Sequence, residues 1–525
     1  MKSLISKVFV LSVILFMSAG CGDDFLDLEN PNEITAGTFF ETPEQMQQAV
    51  NTLYSSAEAV RGFGDQQTFG QNARGIDMQL TDGAFAAQVD YANFTTTPES
   101  GASDSYWEGL YTMIFRANTI LGNIDRVDWT GNESMRDLLT AETHFFRGLG
   151  YFYLAHLYGQ VPIVTKQAET DDEFNPPKAE SIGAVYDQAI SDLQTAKQGL
   201  PETRATDGQV TSGTATGFLG KTYLYRASYL DEPSNYSLAA TEFKEVIDSG
   251  VYGLVDNYVD NFTAVNENNE ESLFEIQYKF NTSPETPTQS RPFNSVPGIG
   301  FEIFLRPSDW VMQEMAEEQT VDGNFDPRYL ETIYFHGGLP LFSVPYNELG
   351  SGIRCEGGQG VGGAPDGSST TEGGWWRKYL NVNLGCPPQL TGGSAENNER
   401  VLRYADILLM YAEAVTMDAG SVTQEAVDAV QQVRDRANLA TKTTGDYASA
   451  DELMDEIKHQ RVMEFTYENM YYFDLIRWGE LGDALQQYGT PTQAANYDPV
   501  KHKYFPIPTS EVVNNSNLEQ NDPWK

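Results

Sequence analysis

Apolar positions along this chain recur mainly at helical spacing, and the clearest run is Glu399 to Ala437. It predicts two helices joined by a tight turn. Leu402, Ala405, Leu409 and Ala412 share one face of the first helix. Asn397 or Asn398 caps it, and Glu399 puts a negative charge at its start, where the helix dipole favours one. Gly420 ends it, because a residue without Cβ takes the left-handed turn freely. Ser421 to Gln424 reads as a capping box for the second helix, which carries Ala426, Val430, Val433 and Ala437 on one face. The small Ala405 and Ala412 let the pair approach closely. Such a hairpin cannot bury its own apolar stripe, so it must stack on others, as in a tetratricopeptide-like solenoid.

The same period predicts a helix from Thr42 or Pro43, with Met46, Ala49, Val50, Leu53 and Tyr54 in register. It predicts further helices over Tyr106–Ile124, Met135–Tyr158, Ile182–Gln198, Ser212–Tyr229 and Tyr236–Ser249. Between Gly62 and Ser105 the period is lost, and the stretch reads as loops. Residues 251–396 also differ. Leu273–Tyr278 predicts a strand, and beyond it Pro, Gly, Ser and Thr clusters separate Phe301, Phe304, Trp310, Trp375 and Trp376. An irregular segment of this length inside a helical chain points to function. Ser449–Glu452 opens another helix reaching about Glu468, and Phe473–Trp478 forms one that stops at Gly479. The last stretch is Pro-rich and extended. The expected fold is mainly α: stacked helical hairpins with an irregular, loop-rich half containing short β-strands. Its parts are a signal segment (1–20), a tether (21–41), an N-terminal helical part (42–250) with binding loops near 62–105, the irregular ligand-presenting half (251–396) and a C-terminal helical part (397–525).

The first twenty residues stand outside that pattern. Lys2 and Lys7 precede a short apolar run, Val8–Met17, and Ser18-Ala19-Gly20 leads into Cys21. Small residues before a cysteine resemble a bacterial lipoprotein cleavage site, although Ser18 stands where an aliphatic residue is usual. Cys21 is therefore the expected lipidation site, each acyl chain adding about 0.8 kcal/mol per buried CH₂. Gly22-Asp23-Asp24 resembles the acidic tag of surface-exported Bacteroidetes lipoproteins. Cys355 and Cys386 remain: they form a disulfide that closes a Gly-rich loop, or stay as two free thiols.

Charge narrows the classes further. The 33 basic and 75 acidic residues give a net charge of −42, which repels phosphate and excludes nucleic acid as a partner. No motif calls for a metal or a cofactor. Ala215–Thr222 fits the loose phosphate-loop pattern, but Phe218, Leu219, Tyr223 and Leu224 run through it at helical spacing. Gly358, Gly360 and Gly363 have no strand before them and no helix after, which makes them a loop. Asp322, Asn324 and Asp326 resemble a calcium loop, yet Pro327 stands where the turn needs Gly, so a turn is expected. Arg461, Glu464, Asp474 and Arg477 lie in packed helices and read as a structural ion network.

Several longer runs resemble one family. They are Arg403-Tyr404-Ala405-Asp406-Ile407-Leu408-Leu409-Met410-Tyr411-Ala412-Glu413-Ala414, Val433-Arg434-Asp435-Arg436-Ala437, Arg461-Val462-Met463-Glu464-Phe465 and Phe473-Asp474-Leu475-Ile476-Arg477-Trp478. Phe505-Pro506-Ile507-Pro508 and Asn517-Leu518-Glu519-Gln520-Asn521 follow. Ala141-Glu142, Phe146-Arg147 and Tyr158-Gly159-Gln160-Val161-Pro162 stand towards the N-terminus. In this order they resemble the SusD/RagB family. One departure is Tyr471, where many members carry arginine. The resemblance implies a Bacteroidetes surface lipoprotein of the outer membrane that binds a nutrient, usually a glycan, and sits as a lid on a SusC-like TonB-dependent transporter. It implies no catalysis.

Sugar rings offer an apolar face and a polar rim, so aromatic residues in loops with nearby amides, carboxylates or guanidinium groups are the candidate site. These are Tyr91, Asn93 and Phe94, in the stretch where the family often places part of its glycan site, with Trp310, Trp375 and Trp376 in the irregular half. Arg74 and Asp82 are the candidate partners for hydroxyls, and read otherwise as ordinary surface residues. Core packing competes for Trp310, and one ring of the Trp375–Trp376 pair is expected inside. The sequence therefore points to a cell-surface glycan-binding lipoprotein. Its rivals are a peptide-binding RagB-like lipoprotein and a helical-repeat interaction scaffold.

Overall fold

A computed structural model describes residues 39–61, 73–81, 84–101, 104–204, 206–263, 265–278, 291–292, 305–335, 374–376, 378–379, 394–395 and 397–525. Helix α1 (Pro43–Ser56) starts where the sequence predicts. The Thr42 side chain accepts from the Gln45 amide, and the Gln45 side chain reaches back to Thr42 N. Met46, Val50 and Leu53 are fully buried on its inner face. A short α2 (Ala86–Ala92) follows, then α3 (Asp104–Asn123), α4 (Glu133–Tyr158), α5 (Ile182–Gly199), α6 (Ser212–Leu230) and α7 (Ser234–Ser249).

Apart from the short α2, these helices pack as neighbours in chain order. Gly220 shows how closely: a Cβ there would stand 2.7 Å from the Phe243 ring of α7. The Gly-Lys-Thr triplet thus lies inside α6, and Lys221 pairs with the buried Asp406 at 2.9 Å. The helix reading of that motif holds.

The remaining elements are β1 (Met78–Leu80), ahead of α2; β2 (Ser272–Ile276), β3 (Arg291–Pro292), β4 (Leu305–Pro307), α8 (Asp309–Ala316), α9 (Pro327–Thr332), β5 (Ile333–Phe335), β6 (Gly374–Trp376) and β7 (Ser394–Ala395) in the irregular part; and β8 (Glu399–Arg403) just after it. The strands form four two-stranded antiparallel ladders, β1 with β4, β2 with β8, β3 with β7 and β5 with β6. The Asp322–Asp326 turn is present, and Asp326 caps α9. The chain closes with α10 (Tyr404–Ala419), α11 (Gln424–Arg436), α12 (Ala450–Phe465), α13 (Tyr471–Trp478), α14 (Leu481–Tyr488), α15 (Pro491–Asn496) and α16 (Thr509–Asn514). Helices dominate the described residues, as expected.

Four expectations change. Glu399–Leu402 is strand, not helix, and α10 begins at Tyr404. Ile276 pairs with Glu399 and Ser272 with Arg403, and all five residues of β8 are buried. A strand partner more than a hundred residues upstream overrides local helical period. Gly420 does stop α10, at φ 59°, but Thr423, not Ser421, caps α11. Third, the 62–105 region holds α2 and β1 as well as loop, elements too short to show a period. Finally, α14 and α15 fold a tail expected to be extended.

Candidate functional site

Segment 73–81 ties the site together. Arg74 is buried, not at the surface, and its guanidinium sits 4.1 Å from the Tyr91 ring centre, 4.8 Å from Phe94, 5.3 Å from Phe505 and 5.8 Å from Tyr472. Nε donates to the Tyr91 carbonyl at 2.8 Å and Nη1 to the Tyr472 hydroxyl at 3.3 Å. Phe94 turns inward because its backbone is left-handed, φ 58°, just past α2. From α15, Gln493 Nε2 donates to the Ala73 carbonyl at 2.7 Å, and Asn496 Nδ2 donates to the Asn93 carbonyl at 3.0 Å.

Three residues on, Asp77 is buried with no side-chain donor on either carboxylate oxygen. Burial pushes its carboxyl up to about 7, against the opposing pull of its own amide and that of Met78. Ladder β1–β4 then pairs Gln79 with Arg306. With the Gln79 amide oriented to meet its donors, its oxygen accepts from Arg306 Nη2 at 2.9 Å and Nε at 3.0 Å.

This ladder aims α8. Ser308 N donates to the Asp77 carbonyl at 3.0 Å, and Ser308 Oγ donates to Ile76 O at 2.5 Å while accepting from Val311 N at 3.1 Å. The cap fixes Trp310 in the first turn of α8. Its indole stacks on Tyr471, centroids 5.5 Å apart and planes 11° from parallel. Tyr488, 46% exposed, flanks it at 5.7 Å and 40°. Trp310 itself is half-buried, so it keeps a ledge open to solvent beside Tyr488.

The sequence candidates thus divide. Tyr91, Phe94 and Arg74 come together, but as a packed cage. Tyr91 is 2% exposed and Phe94 4%, so neither ring face is offered to a ligand. Trp376 is fully buried, stacked on Tyr467 at 4.4 Å and 9°. That corrects the expectation of a ring platform at these positions: each ring is more valuable inside, where it covers a cation or another ring. Asn93 and Trp310 stay half-buried. Trp375 pairs through its backbone with Tyr334 across β5–β6. Asp82, Cys21, Cys355 and Cys386 lie outside the described residues.

Sequence reasoning missed Tyr472, Tyr488 and Phe505, and noted Tyr471 only as a departure. They stand in motif helices and the tail, where no local signal marks a site. The Arg461, Glu464, Asp474 and Arg477 group is a buried ion network: Arg461 bonds Asp474 and Asp406, each at 2.7 Å, and Arg477 bonds Asp474 at 2.8 Å.

A model described as the SusD family matches residues 240–524. The chain belongs to the SusD family. A second model, described as starch-binding and associating with the outer membrane, matches residues 24–224 of this SusD-family protein. Curated relatives include SusD-like protein P2 of Formosa agariphila, 25% identical over 97% of this chain and 98% of its own length. A SusD-like protein of Bacteroides ovatus is 24% identical over 90% of this chain and 82% of its own. Among solved structures, a SusD superfamily protein from Bacteroides vulgatus superposes with TM-score 0.76 at 24% identity, covering 93% of this chain and all of that one. A laminarin-binding SusD-like protein superposes with TM-score 0.69 at 25% identity, over 92% of this chain and 99% of that one. Surface glycan-binding protein A of Bacteroides thetaiotaomicron, solved with laminarihexaose, gives 0.71 at 21% identity, over 91% and 99%. SusD-family proteins bind carbohydrate and are not enzymes. Among the described residues no helix is long and apolar enough to cross a membrane.

Proposed function

We propose that this SusD-family protein is a cell-surface lipoprotein that captures an oligo- or polysaccharide and delivers it to a TonB-dependent outer-membrane transporter. Acylated Cys21 anchors it to the outer membrane. The observation that carries the ligand assignment is the Trp310 ledge: a half-buried indole braced by Tyr471 and flanked by the exposed Tyr488. Two such rings offer on the order of 200 Å² of apolar surface, about 5 kcal/mol before ordering costs, which suits weak capture. Asn93, Asp82 and Trp375 are the further ligand contacts of this reading. Arg74, Tyr91, Phe94 and Trp376 are buried and serve packing in this reading. The laminarin-binding relative supports a β-glucan as the first ligand to test.

Calorimetry of the mature chain with a panel of neutral oligosaccharides, laminarin fragments included, tests the proposal. Binding that falls in Trp310→Ala and Tyr488→Ala, in variants that still unfold cooperatively, supports it. Binding of peptides and of no glycan overturns it in favour of peptide capture.

A further inference from the structure

A cleft of about 660 Å³ opens between the end of α4, the start of α5 and the C-terminal tail, far along the chain from Trp310. Its lining includes Lys178, Lys503, Tyr504 and Val500. With 75 acidic residues for 33 basic ones, a lysine in this protein readily finds a carboxylate. Among the described lysines only Lys178, Lys501 and Lys503 stand outside an ion pair. Lys501 covers the Trp524 ring at 4.5 Å. The other two line the cleft, where Lys503 Nζ stands 5.7 Å from the Tyr229 ring centre and 5.9 Å from that of Tyr504.

Both are held by neutral oxygens. Lys178 Nζ donates to Asn521 Oδ1 at 3.0 Å and to the Gln520 carbonyl at 3.4 Å, and Lys503 Nζ donates to the Tyr229 carbonyl at 2.8 Å. An ammonium has three N–H donors, so one is left on Lys178 and two on Lys503. Burial lowers the pKa of both, and at Lys178 the charge of Lys525 adds to the effect. The rim carboxylates Glu519 and Asp522 are engaged by Lys525, at 2.9 and 2.8 Å.

Above this cationic floor stands a flat wall. The Tyr504 ring rests on Gly159, where a Cβ would come within 3.2 Å of it and where φ is +73°. Val500, 69% exposed, extends the apolar side. A flat ring beside two ammonium groups that carboxylates (Asp522 and Glu519 for Lys178, Asp231 for Lys503) reach only at longer range matches a pyranose that carries an anionic substituent. The net charge of −42 does not forbid it, since exposed charges beyond about 8 Å are screened at physiological salt.

We propose that this cleft is a second saccharide site, selective for sugars bearing a carboxylate or a sulfate. The proposal rests on the reading of the chain as a glycan binder. The test is calorimetry of the mature chain with a galacturonate trimer, a sulfated galactose trimer and a neutral galactose trimer. At least one anionic trimer binds about tenfold or more tighter than the neutral one, and which of the two does so identifies the anionic group. Lys178→Met with Lys503→Met abolishes that preference, whereas Lys178→Arg with Lys503→Arg keeps it. Should the double Met variant not fold, Lys178→Gln alone carries the comparison, with a partial loss expected. Anionic trimers that bind no better than the neutral one, or as well to a folded charge-removed variant as to the parent, overturn the proposal. Trp310→Ala separates the sites: it weakens neutral glycans and spares the anionic preference. Absence of binding by every glycan would defeat both readings; neutral binding without anionic preference defeats the cleft alone.

Discussion

Trp310 and Tyr471 stack with ring centroids 5.5 Å apart and planes 11° from parallel. One face of the indole is therefore committed to the protein, and what it offers a ligand is the remaining surface beside Tyr488. Tyr471 is the position at which the sequence departs from its resemblance to the family, and its ring is the brace. Trp310→Ala should weaken a bound neutral oligosaccharide by about 1–2 kcal/mol, roughly 5–30-fold, and, because the indole is partly packed on the core, lower the melting temperature by less than Tyr471→Ala does. Tyr471 is buried, so Tyr471→Ala should lower both affinity and melting temperature, while Tyr471→Phe keeps the stack and both properties. Calorimetry and thermal melts on the three variants decide it. Equal affinity in Trp310→Ala would remove the ledge from the site.

Arg74 is the second lever. Its guanidinium is enclosed by four rings, bonds one backbone carbonyl and has no ion pair among the described residues. Arg74→Met removes the charged donor from the Tyr91 carbonyl, which keeps only the Phe94 amide at 3.3 Å, and takes the cation from the ring faces, which should cost about 2–4 kcal/mol in urea unfolding. Arg74→Lys should recover little, because an ammonium cannot stack as a planar guanidinium does. Full recovery by lysine would show that charge alone is needed there.

The helices were legible in the sequence because their period is written locally. The Thr42 cap and the Gly420 and Gly479 stops are local too, and α1, α10 and α13 obey them. Strand β8 was not, because its partner β2 lies elsewhere in the chain and no window contains both. The site was less legible than the fold. Tyr91 and Phe94 look like ligand platforms in a Gly- and Asn-rich stretch, and only the fold brings Arg74, Tyr472 and Phe505 around them. An aromatic in a loop has the same sequence signature whether its face meets a sugar or a guanidinium.

Asp77 makes stability depend on pH in a stated direction. Its carboxyl moves from 3.8 to about 7 in the folded protein, through burial first and the nearby charge of Asp474 last. Below pH 3.8 it is protonated in both states and stability is unaffected. Between 3.8 and 7 unfolding releases a proton, so stability falls as pH rises; above 7 the loss is complete, about 4 kcal/mol. Asp77→Asn cannot ionise. Its melting temperature relative to the parent should therefore climb steadily from about pH 4 to pH 8. A constant difference across that range would mean that Asp77 has a cationic partner in solution.

The strongest test of the C-terminal scaffold is Glu464, fully buried and reached by three arginines. Burial pushes its carboxyl up, but Arg436, Arg403 and Arg328 outweigh that and hold it well below the usual carboxylate range. Glu464→Gln keeps the shape and removes the charge, leaving Arg403 to Glu271 at 2.7 Å and Glu468 at 2.9 Å, and Arg328 to Asp326 at 2.6 Å. Breaking one side of a buried ion cluster should cost about 3–5 kcal/mol at pH 7 in chemical unfolding. Because the folded pKa is depressed, the parent's advantage is complete above the unfolded value of 4.5 and shrinks as pH falls through the folded one. The variant and the parent should therefore converge in acid. Glycan affinity of the folded variant should stay unchanged, since Glu464 belongs to the frame and not to the Trp310 ledge. A loss below about 1 kcal/mol would show that Glu271 and Glu468 alone neutralise the cluster.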